Sequence, residues 1–108
     1  MKDLPDKVQG TFGKALLVAQ FGGKHGAAKS LRGFGGTGVL EVVEDDADGT
    51  YRAVYTVKFA GMVIVLHCFQ KKSKRGIATP KEDMDIIRAR LKVAEALAKE
   101  LADENARD

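Results

Sequence analysis

Three stretches alternate apolar and polar residues and are joined by very short links, which restricts the fold more than any other feature. They run from Val39 to Glu44, from Thr50 to Phe59 and from Met62 to Phe69. The turn Asp45-Asp46-Ala47-Asp48-Gly49 joins the first two, and Ala60-Gly61 joins the last two. Parallel strands need a crossover of about a dozen residues or more, so these links allow only antiparallel neighbours. The sequence therefore predicts a three-stranded antiparallel meander.

A helix is predicted before this meander. Apolar residues recur at helical spacing from Val8 to Ala19, and Gly22-Gly23 marks the end of the pattern. We expect Asp3 to cap this helix near Leu4 and Pro5 to lie in its first turn. The glycine-rich residues 22–38 then connect the helix to the first strand.

A second helix is predicted after the meander. Thr79-Pro80-Lys81-Glu82 has the pattern of a capping box, with Thr79 at the N-cap. An apolar stripe follows at helical spacing from Met84 to Leu101. The order helix, strands, helix indicates an α+β fold in which both helices pack on a small antiparallel sheet. With 108 residues, the chain is expected to form one domain, residues 1–108.

Composition narrows the class of protein further. The formal net charge is +3, which favours an anionic partner. The single cysteine, Cys68, allows no internal disulfide, and we interpret it as a core residue. The charged N-terminus is unlike a signal peptide, and no apolar run is long enough to cross a membrane. The simplest interpretation is a cytoplasmic protein that does not bind membranes.

Positive charge is concentrated in the middle of the chain. From Arg52 to Lys81 there are seven Lys or Arg and no Asp or Glu. Four of these cations lie together as Lys71, Lys72, Lys74 and Arg75. Period-2 alternation places Arg52 and Lys58 on one face of a strand, with Tyr51, Tyr55 and Phe59 on the other. Cations on a sheet face and along its rim predict a site that binds a phosphodiester. The alternative is a charged surface that is simply solvated.

Other patterns carry weaker signals. His67 has a suitable intrinsic pKa for a general base, but a partly buried strand histidine with a hydrogen-bonded ring is the competing interpretation. Residues Gly33 to Gly38 match G-x-G-x-x-G, yet a dinucleotide site needs a helix after the motif, so we favour a tight turn. Asp45, Asp46 and Asp48 are explained by turn chemistry, and no residues have the spacing of metal ligands.

Several segments together resemble a known family. They are Leu31 to Gly36, Val39 to Val42, Tyr51 to Thr56, Val65 to Lys74 and Gly76 to Lys81. Within them, Phe69-Gln70-Lys71-Lys72-Ser73 is the most specific phrase. They resemble the phage-derived, HigB-like branch of the RelE/ParE toxin superfamily, over Leu4 to Leu97.

The resemblance implies a RelE-like fold, with a small curved antiparallel sheet and a C-terminal helix. Relatives carry a short strand before the segment that matches Leu4. Either the chain starts upstream or the sheet lacks the family's first strand. The resemblance also implies a type II toxin that enters the ribosome and cleaves mRNA by attack of a ribose 2′-OH on the adjacent phosphate, without a metal or another cofactor.

The resemblance further suggests roles for individual residues. Arg52 with Lys71 or Lys72 would stabilise the phosphate charge, and Tyr55 or His67 would handle protons or stack on a base. The remaining cations would bind RNA: Lys58, Lys74, Arg75 and Lys81. The implied partners are the ribosome, mRNA and a cognate antitoxin of the helix-turn-helix type. A ParE-like inhibitor of gyrase and an inactive nucleic-acid-binding toxin remnant are the alternatives.

Overall fold

The computed structural model describes residues 4–23, 25–26, 28–34, 38–46, 49–59, 62–71 and 79–107. Two helices and four strands follow one another in these residues: α1 (Asp6–Gln20), β1 (Ala28–Ser30), β2 (Val39–Asp46), β3 (Gly49–Thr56), β4 (Ile64–Lys71) and α2 (Lys81–Arg107). The predicted α+β class, with helices flanking an antiparallel sheet, is confirmed.

The strands form a single antiparallel sheet in the order β1-β2-β3-β4. The predicted meander makes up β2 to β4, but the sheet has four strands rather than three. The additional strand, β1, pairs with β2 and places Ala28 opposite Val42 and Ser30 opposite Leu40. Sequence alternation missed β1 because it has three residues and lies inside the glycine-rich connection.

The boundaries of all three predicted strands differ from the prediction. β2 continues to Asp46, into the predicted turn, and β3 begins at Gly49 rather than Thr50. β3 ends at Thr56 rather than Phe59, and β4 covers Ile64–Lys71 rather than Met62 to Phe69. The polar segment from Gln70, predicted to be a loop, therefore begins as strand. Residues 72–78 and the predicted turn at Ala60-Gly61 lie outside the described residues.

The helix α1 begins one residue after Pro5, whose carbonyl accepts the Gln9 N–H at 2.9 Å. Pro5 is thus the N-cap and not a first-turn residue, and Asp3 lies outside the described residues. At the other end, Gly22 (φ 82°) donates to the Ala19 carbonyl and Gly23 to the Val18 carbonyl. These two bonds define a Schellman motif, which explains why the helix ends where the sequence predicted.

Each face of the sheet is covered by one helix. On one face, Val8 and Phe12 of α1 pack with Tyr51 and Tyr55 of β3. On the other, Ile87 and Ala94 of α2 belong to a cluster of buried residues that also contains one residue after β1 and three strand residues: Leu31, Val39, Val54 and Leu66. Because helices lie on both sides, every residue from Tyr51 to Thr56 is buried. The sheet face predicted to display Arg52 is therefore not an open surface.

A β-bulge in β4 changes which side chains face α2. Val54 pairs with His67 but Tyr55 pairs with Val65, so Leu66 is an extra residue. Leu66 packs in the α2 cluster, and His67 contacts α2 side chains directly. Two consecutive residues thus face the same helix, which strict alternation would not allow. Similarly, Phe59 packs on the α2 side, contrary to the predicted alternation, because β3 has already ended.

The helix α2 is 27 residues long and begins after Pro80, whose carbonyl accepts the Met84 N–H at 3.0 Å. Pro80 is therefore the N-cap, one residue later than the predicted Thr79. At 1.5 Å per residue the helix is about 40 Å long, whereas an eight-residue strand spans about 27 Å. The helix is therefore longer than any strand of the sheet, and Leu101 near its C-terminus is 38% exposed. No helix within the described ranges has the length and apolar character needed to cross a membrane.

Two adjacent isoleucines test the packing of α2. Ile87 is fully buried and Ile86 is 37% exposed. We expect Ile87→Ala to lower the free energy of unfolding by about 2–5 kcal/mol, because it leaves a cavity between α2 and the sheet. Ile86→Ala in dilute solution should cost less than about 1 kcal/mol. Denaturant unfolding measures both, and equal losses would contradict this packing.

Candidate nucleic-acid interface

The central charged feature of the α2 face is a buried ion pair between neighbouring strands. Arg52 Nη1 of β3 lies 3.4 Å from Glu41 Oε2 of β2, and both side chains are 6% exposed. Lys29 Nζ of β1 lies 3.6 Å from the other carboxylate oxygen of Glu41. One carboxylate thus lies between two cations. With two cations and one carboxylate, these three side chains together carry a net positive charge.

Two members of this group, Lys29 and Glu41, line a cleft, whereas Arg52 lies behind them and is not part of its lining. A cavity of about 430 Å³ lies between β1, the residues that follow it and the start of α2. Lys29 and Arg32, both exposed, contribute cations to its lining, Glu41 provides a buried acid, and Leu31 and Met84 provide apolar surface. We name it the β1 cleft. Its charge and partly apolar lining suit a phosphate-bearing ligand that also presents a flat apolar surface.

The end of β4 lies beside Arg52 and the start of α2. Phe69 is the register partner of Arg52, and Lys71 ends β4 two residues later, opposite Thr50. Lys81 is exposed and opens α2, close in sequence to Asp83, which contacts His67 of β4. Three predicted site residues, Arg52, His67 and Lys81, are thus brought to this side of the molecule. The other cations of the predicted cluster, Lys72, Lys74 and Arg75, lie outside the described residues, as does the side chain of Lys71.

His67 is held on both sides of its ring. Its Nε2 lies 2.8 Å from Asp83 Oδ1, and its Nδ1 lies 3.3 Å from Arg90 Nη1. Arginine can only donate, so Nδ1 is the acceptor and Nε2–H donates to Asp83. The ring also stacks on Phe69, with 5.0 Å between centroids. With its side chain 13% exposed, His67 fits the interpretation of a partly buried, hydrogen-bonded strand histidine better than that of a poised general base.

Lys58 lies away from this group. It follows the opposite end of β3, about 20 Å along the strand direction from Arg52 at about 3.3 Å per residue. Its Nζ lies 3.1 Å from Glu95 Oε1 of α2, in a solvent-exposed pair. The structure therefore does not bring Lys58 together with Arg52, although both were predicted to serve the same face.

Tyr55 is also separated from Arg52. It is 1% exposed and belongs to the core cluster on the α1 face. Its hydroxyl has no hydrogen-bond partner among the described residues, and burial raises the pKa of this phenol. Cys68 packs against the same cluster, and burial is the main influence raising the pKa of its thiol. Both groups therefore stay protonated near neutral pH, as expected for core residues.

The sequence analysis missed the acidic partners of the site. Glu41 escaped notice because it lies between Leu40 and Val42 in an ordinary alternating strand. The short link between β2 and β3 could have predicted the pair, because it sets a register in which Glu41 and Arg52 are diagonal neighbours. No comparable signal existed for Asp83 and Arg90, because their contacts with His67 join α2 to β4.

The described part of the glycine motif fits the turn interpretation. Gly38 (φ 80°) directly precedes β2, and a strand rather than a helix follows it. A Cβ at Gly38 would lie 3.2 Å from the Lys58 backbone, so both space and dihedral angle favour glycine. Gly35, Gly36 and Thr37 lie outside the described residues. Within the residues that the structure describes, no three acidic, histidine or cysteine side chains cluster as metal ligands would.

Comparison with known proteins gives one match. The family model described as Phage derived protein Gp49-like (DUF891) matches residues 1–92. Searches of curated proteins and of solved structures found no significant match. The matched family is part of the RelE/Gp49 toxin family and is associated with the toxins of toxin–antitoxin systems. Because the match covers most of the 108 residues, this chain belongs to the Gp49-like family of phage-derived proteins.

Proposed function

We propose that this protein is the toxin of a type II toxin–antitoxin system and that it cleaves mRNA on the ribosome. Membership of the Gp49-like family carries the proposal, since that family is associated with such toxins. The HigB-like phrase from Phe69 to Ser73 supports the nuclease rather than a gyrase inhibitor. The basic lining of the β1 cleft adds a surface that is suited to RNA.

The proposed reaction needs no group beyond the RNA and the protein. The ribose 2′-oxygen attacks the adjacent phosphorus, and the bond from phosphorus to the 5′-oxygen breaks. One proton leaves the 2′-OH and one reaches the 5′-oxygen, so the products are a cyclic phosphate and a 5′-hydroxyl. Negative charge accumulates on the phosphate oxygens, and fixed cations lower the barrier by stabilising it.

We assign the charge stabilisation to Arg52 together with Lys71 or Lys72. Arg52 is anchored by Glu41 and its side chain is 6% exposed, so its guanidinium is held in place before RNA arrives and could meet a phosphate only through the small part that is exposed. This arrangement resembles the support that a preorganised site requires. Lys74, Arg75 and Lys81 would hold the RNA backbone beside it, whereas Lys58 could contact only nucleotides several positions away.

The two predicted candidates for proton transfer, His67 and Tyr55, lie in different surroundings. His67 lies on the same face as Arg52, but Asp83 and Arg90 occupy both of its ring nitrogens. Tyr55 lies on the opposite face within the core. We therefore propose that His67 fastens α2 to β4, and that any role in proton transfer requires it to release Asp83 or Arg90.

A toxin of this kind must be neutralised in the cell that makes it. We propose a cognate antitoxin, of the helix-turn-helix type, as the partner. Its acidic or site-covering surface would complement the cations around the β1 cleft.

Cleavage of message in the presence of ribosomes tests the proposed function. Primer extension with purified protein and a chelator should show cuts for the wild type. Lys71→Ala should reduce the rate by about 10²–10³ if Lys71 contacts the transition state. Lys99→Ala, the same change on an exposed turn of α2, should leave the rate unchanged. Intact message together with inhibition of gyrase would favour the ParE-like alternative, and loss of cleavage with chelator would contradict the metal-free mechanism.

The buried pair makes Arg52 a structural residue as well. Arg52→Ala should lower the free energy of unfolding by about 3–5 kcal/mol, because it leaves the Glu41 carboxylate buried beside one exposed lysine. Arg52→Lys keeps the charge but loses the planar fork, so it should fold and still cleave poorly. Unfolding curves and cleavage rates separate these effects, and wild-type activity in Arg52→Lys would exclude a role for the fork.

His67→Ala distinguishes a fastening residue from a catalytic one. If His67 joins α2 to β4, the free energy of unfolding should fall by about 1–3 kcal/mol, because Asp83 and Arg90 each lose a partner. The cleavage rate per folded molecule should stay close to that of the wild type. A stable variant that no longer cleaves would instead make His67 a catalytic residue.

A further inference from the structure

The β1 cleft has a buried carboxylate in its lining. Glu41 is 5% exposed and lies opposite Lys29 of β1. Its strand neighbours Leu40 and Val42 pack on the α1 face, so alternation turns the Glu41 side chain to the α2 face, where the cleft lies. A site for phosphate alone gains nothing from an acid, which repels the anion. The carboxylate therefore indicates a ligand that also carries hydrogen-bond donors.

The Glu41 carboxylate can accept further hydrogen bonds. Arg52 Nη1 lies 3.4 Å from its Oε2, and Lys29 Nζ lies 3.6 Å from its Oε1. A charge-assisted hydrogen bond is shorter, about 2.7–2.9 Å, and a carboxylate has about four acceptor positions. The Lys29 side chain is 60% exposed, and ion pairs of exposed side chains contribute little stability. A ligand can therefore displace the Lys29 ammonium from the carboxylate at small cost.

The rest of the lining suits a nucleotide. Arg32 is exposed and adds a second cation, and Leu31 and Met84 provide apolar surface for a flat ring. A Cβ at Gly33 (φ 96°) would lie 3.1 Å from Met84 Cε, so a larger residue there would crowd this wall. The cavity of about 430 Å³ falls within the range of about 300–1,000 Å³ that is usual for sites of small ligands.

A carboxylate in such a cleft discriminates between the RNA bases. Its two oxygens accept side by side, so they match two adjacent donors. On the Watson–Crick edge, which proteins read in single-stranded RNA, guanine offers this pair as N1–H and the 2-amino group. Adenine and cytosine place a ring-nitrogen acceptor beside their amino group, and uracil has one N–H between two carbonyls. Each of these would set an acceptor against a carboxylate oxygen and leave it unpaired.

We propose that the β1 cleft binds one guanine nucleotide of the RNA. Glu41 accepts hydrogen bonds from guanine N1–H and the 2-amino group, and Lys29 moves from the carboxylate to a neighbouring phosphate. Arg32 contributes the second cation for the RNA backbone. The inference rests on the proposed function for RNA as the ligand, and it makes Glu41 the residue that determines specificity. Messages should then be cut preferentially where a guanine lies at a fixed distance from the cut.

Nuclear magnetic resonance titrations of the wild type with mononucleotides test the base preference without any substitution. Guanosine 5′-monophosphate should shift the amide signals of Ser30, Leu31 and Gly33. It should bind about tenfold more tightly than uridine 5′-monophosphate, as a bidentate base contact allows. Inosine 5′-monophosphate lacks only the 2-amino group and should have an intermediate affinity. Equal affinities for the three, or the same shifts with inorganic phosphate alone, would overturn the proposal.

One substitution on β2 tests the role of the carboxylate. Glu41→Gln keeps the shape but offers one donor and one acceptor, which also match uracil, so the preference for guanosine over uridine monophosphate should disappear. Glu44→Gln is the matched control, because Glu44 pairs with Lys7 of α1 and should leave the preference unchanged. Circular dichroism establishes that both variants are folded. A folded Glu41→Gln variant with the wild-type preference would contradict the assignment.

Lys29→Ala separates the base contact from the phosphate contact. It should weaken all three nucleotides by the same factor, and the loss should fade as salt rises. A loss confined to guanosine monophosphate would contradict the assigned role of Lys29.

Binding is measured without ribosomes, so the two proposals can fail separately. Guanine preference in a protein that leaves message intact would support the guanine site and contradict the proposed nuclease. Cleavage of message with no guanine preference, in binding or in the mapped cuts, would overturn the guanine site alone.

Discussion

Burial of both faces of β3 is the constraint on which the remaining structure depends. A strand at the centre of the sheet, with α1 below and α2 above, must exclude water from both sets of its side chains. Six consecutive residues, from Tyr51 to Thr56, are buried as a result. Five of them are apolar or small enough to satisfy this requirement. The sixth, Arg52, is charged, and Glu41 of the neighbouring strand supplies an opposite charge 3.4 Å away.

The same ion pair bears on both the stability of the fold and the function proposed for Arg52. A buried arginine and carboxylate contribute little net stability compared with an apolar pair, yet losing one partner is costly. Folding alone therefore gives Arg52 no clear advantage over an apolar residue at this position. The proposed function supplies one, because it uses a fixed guanidinium. Glu41 would then serve to hold the charge in place, with Lys29 compensating the carboxylate from the exposed side.

The bulge in β4 affects how α2 packs on the sheet. By inserting Leu66, it allows a buried leucine and the next residue, His67, to face α2 together. His67 then joins Asp83 and Arg90, which fixes the rotation of α2 about its own axis. That rotation turns Ile87 into the core and leaves Ile86, Val93 and Leu97 exposed. A single extra residue thus influences which side chains of α2 enter the core.

The sequence by itself determined the class of fold, the antiparallel meander and the two flanking helices, because short links and hydrophobic periodicity act locally. It also indicated that Arg52 and Lys71 belong to one region, since the order of strands brings them together. It could not find β1, whose three residues have no periodicity, nor the bulge, which breaks alternation at one position. Only the tertiary structure decided that Arg52 is buried against Glu41, that Tyr55 lies on the other face and that His67 contacts α2. Those relations depend on register and on helices packing over strands distant in sequence, and no local pattern encodes them.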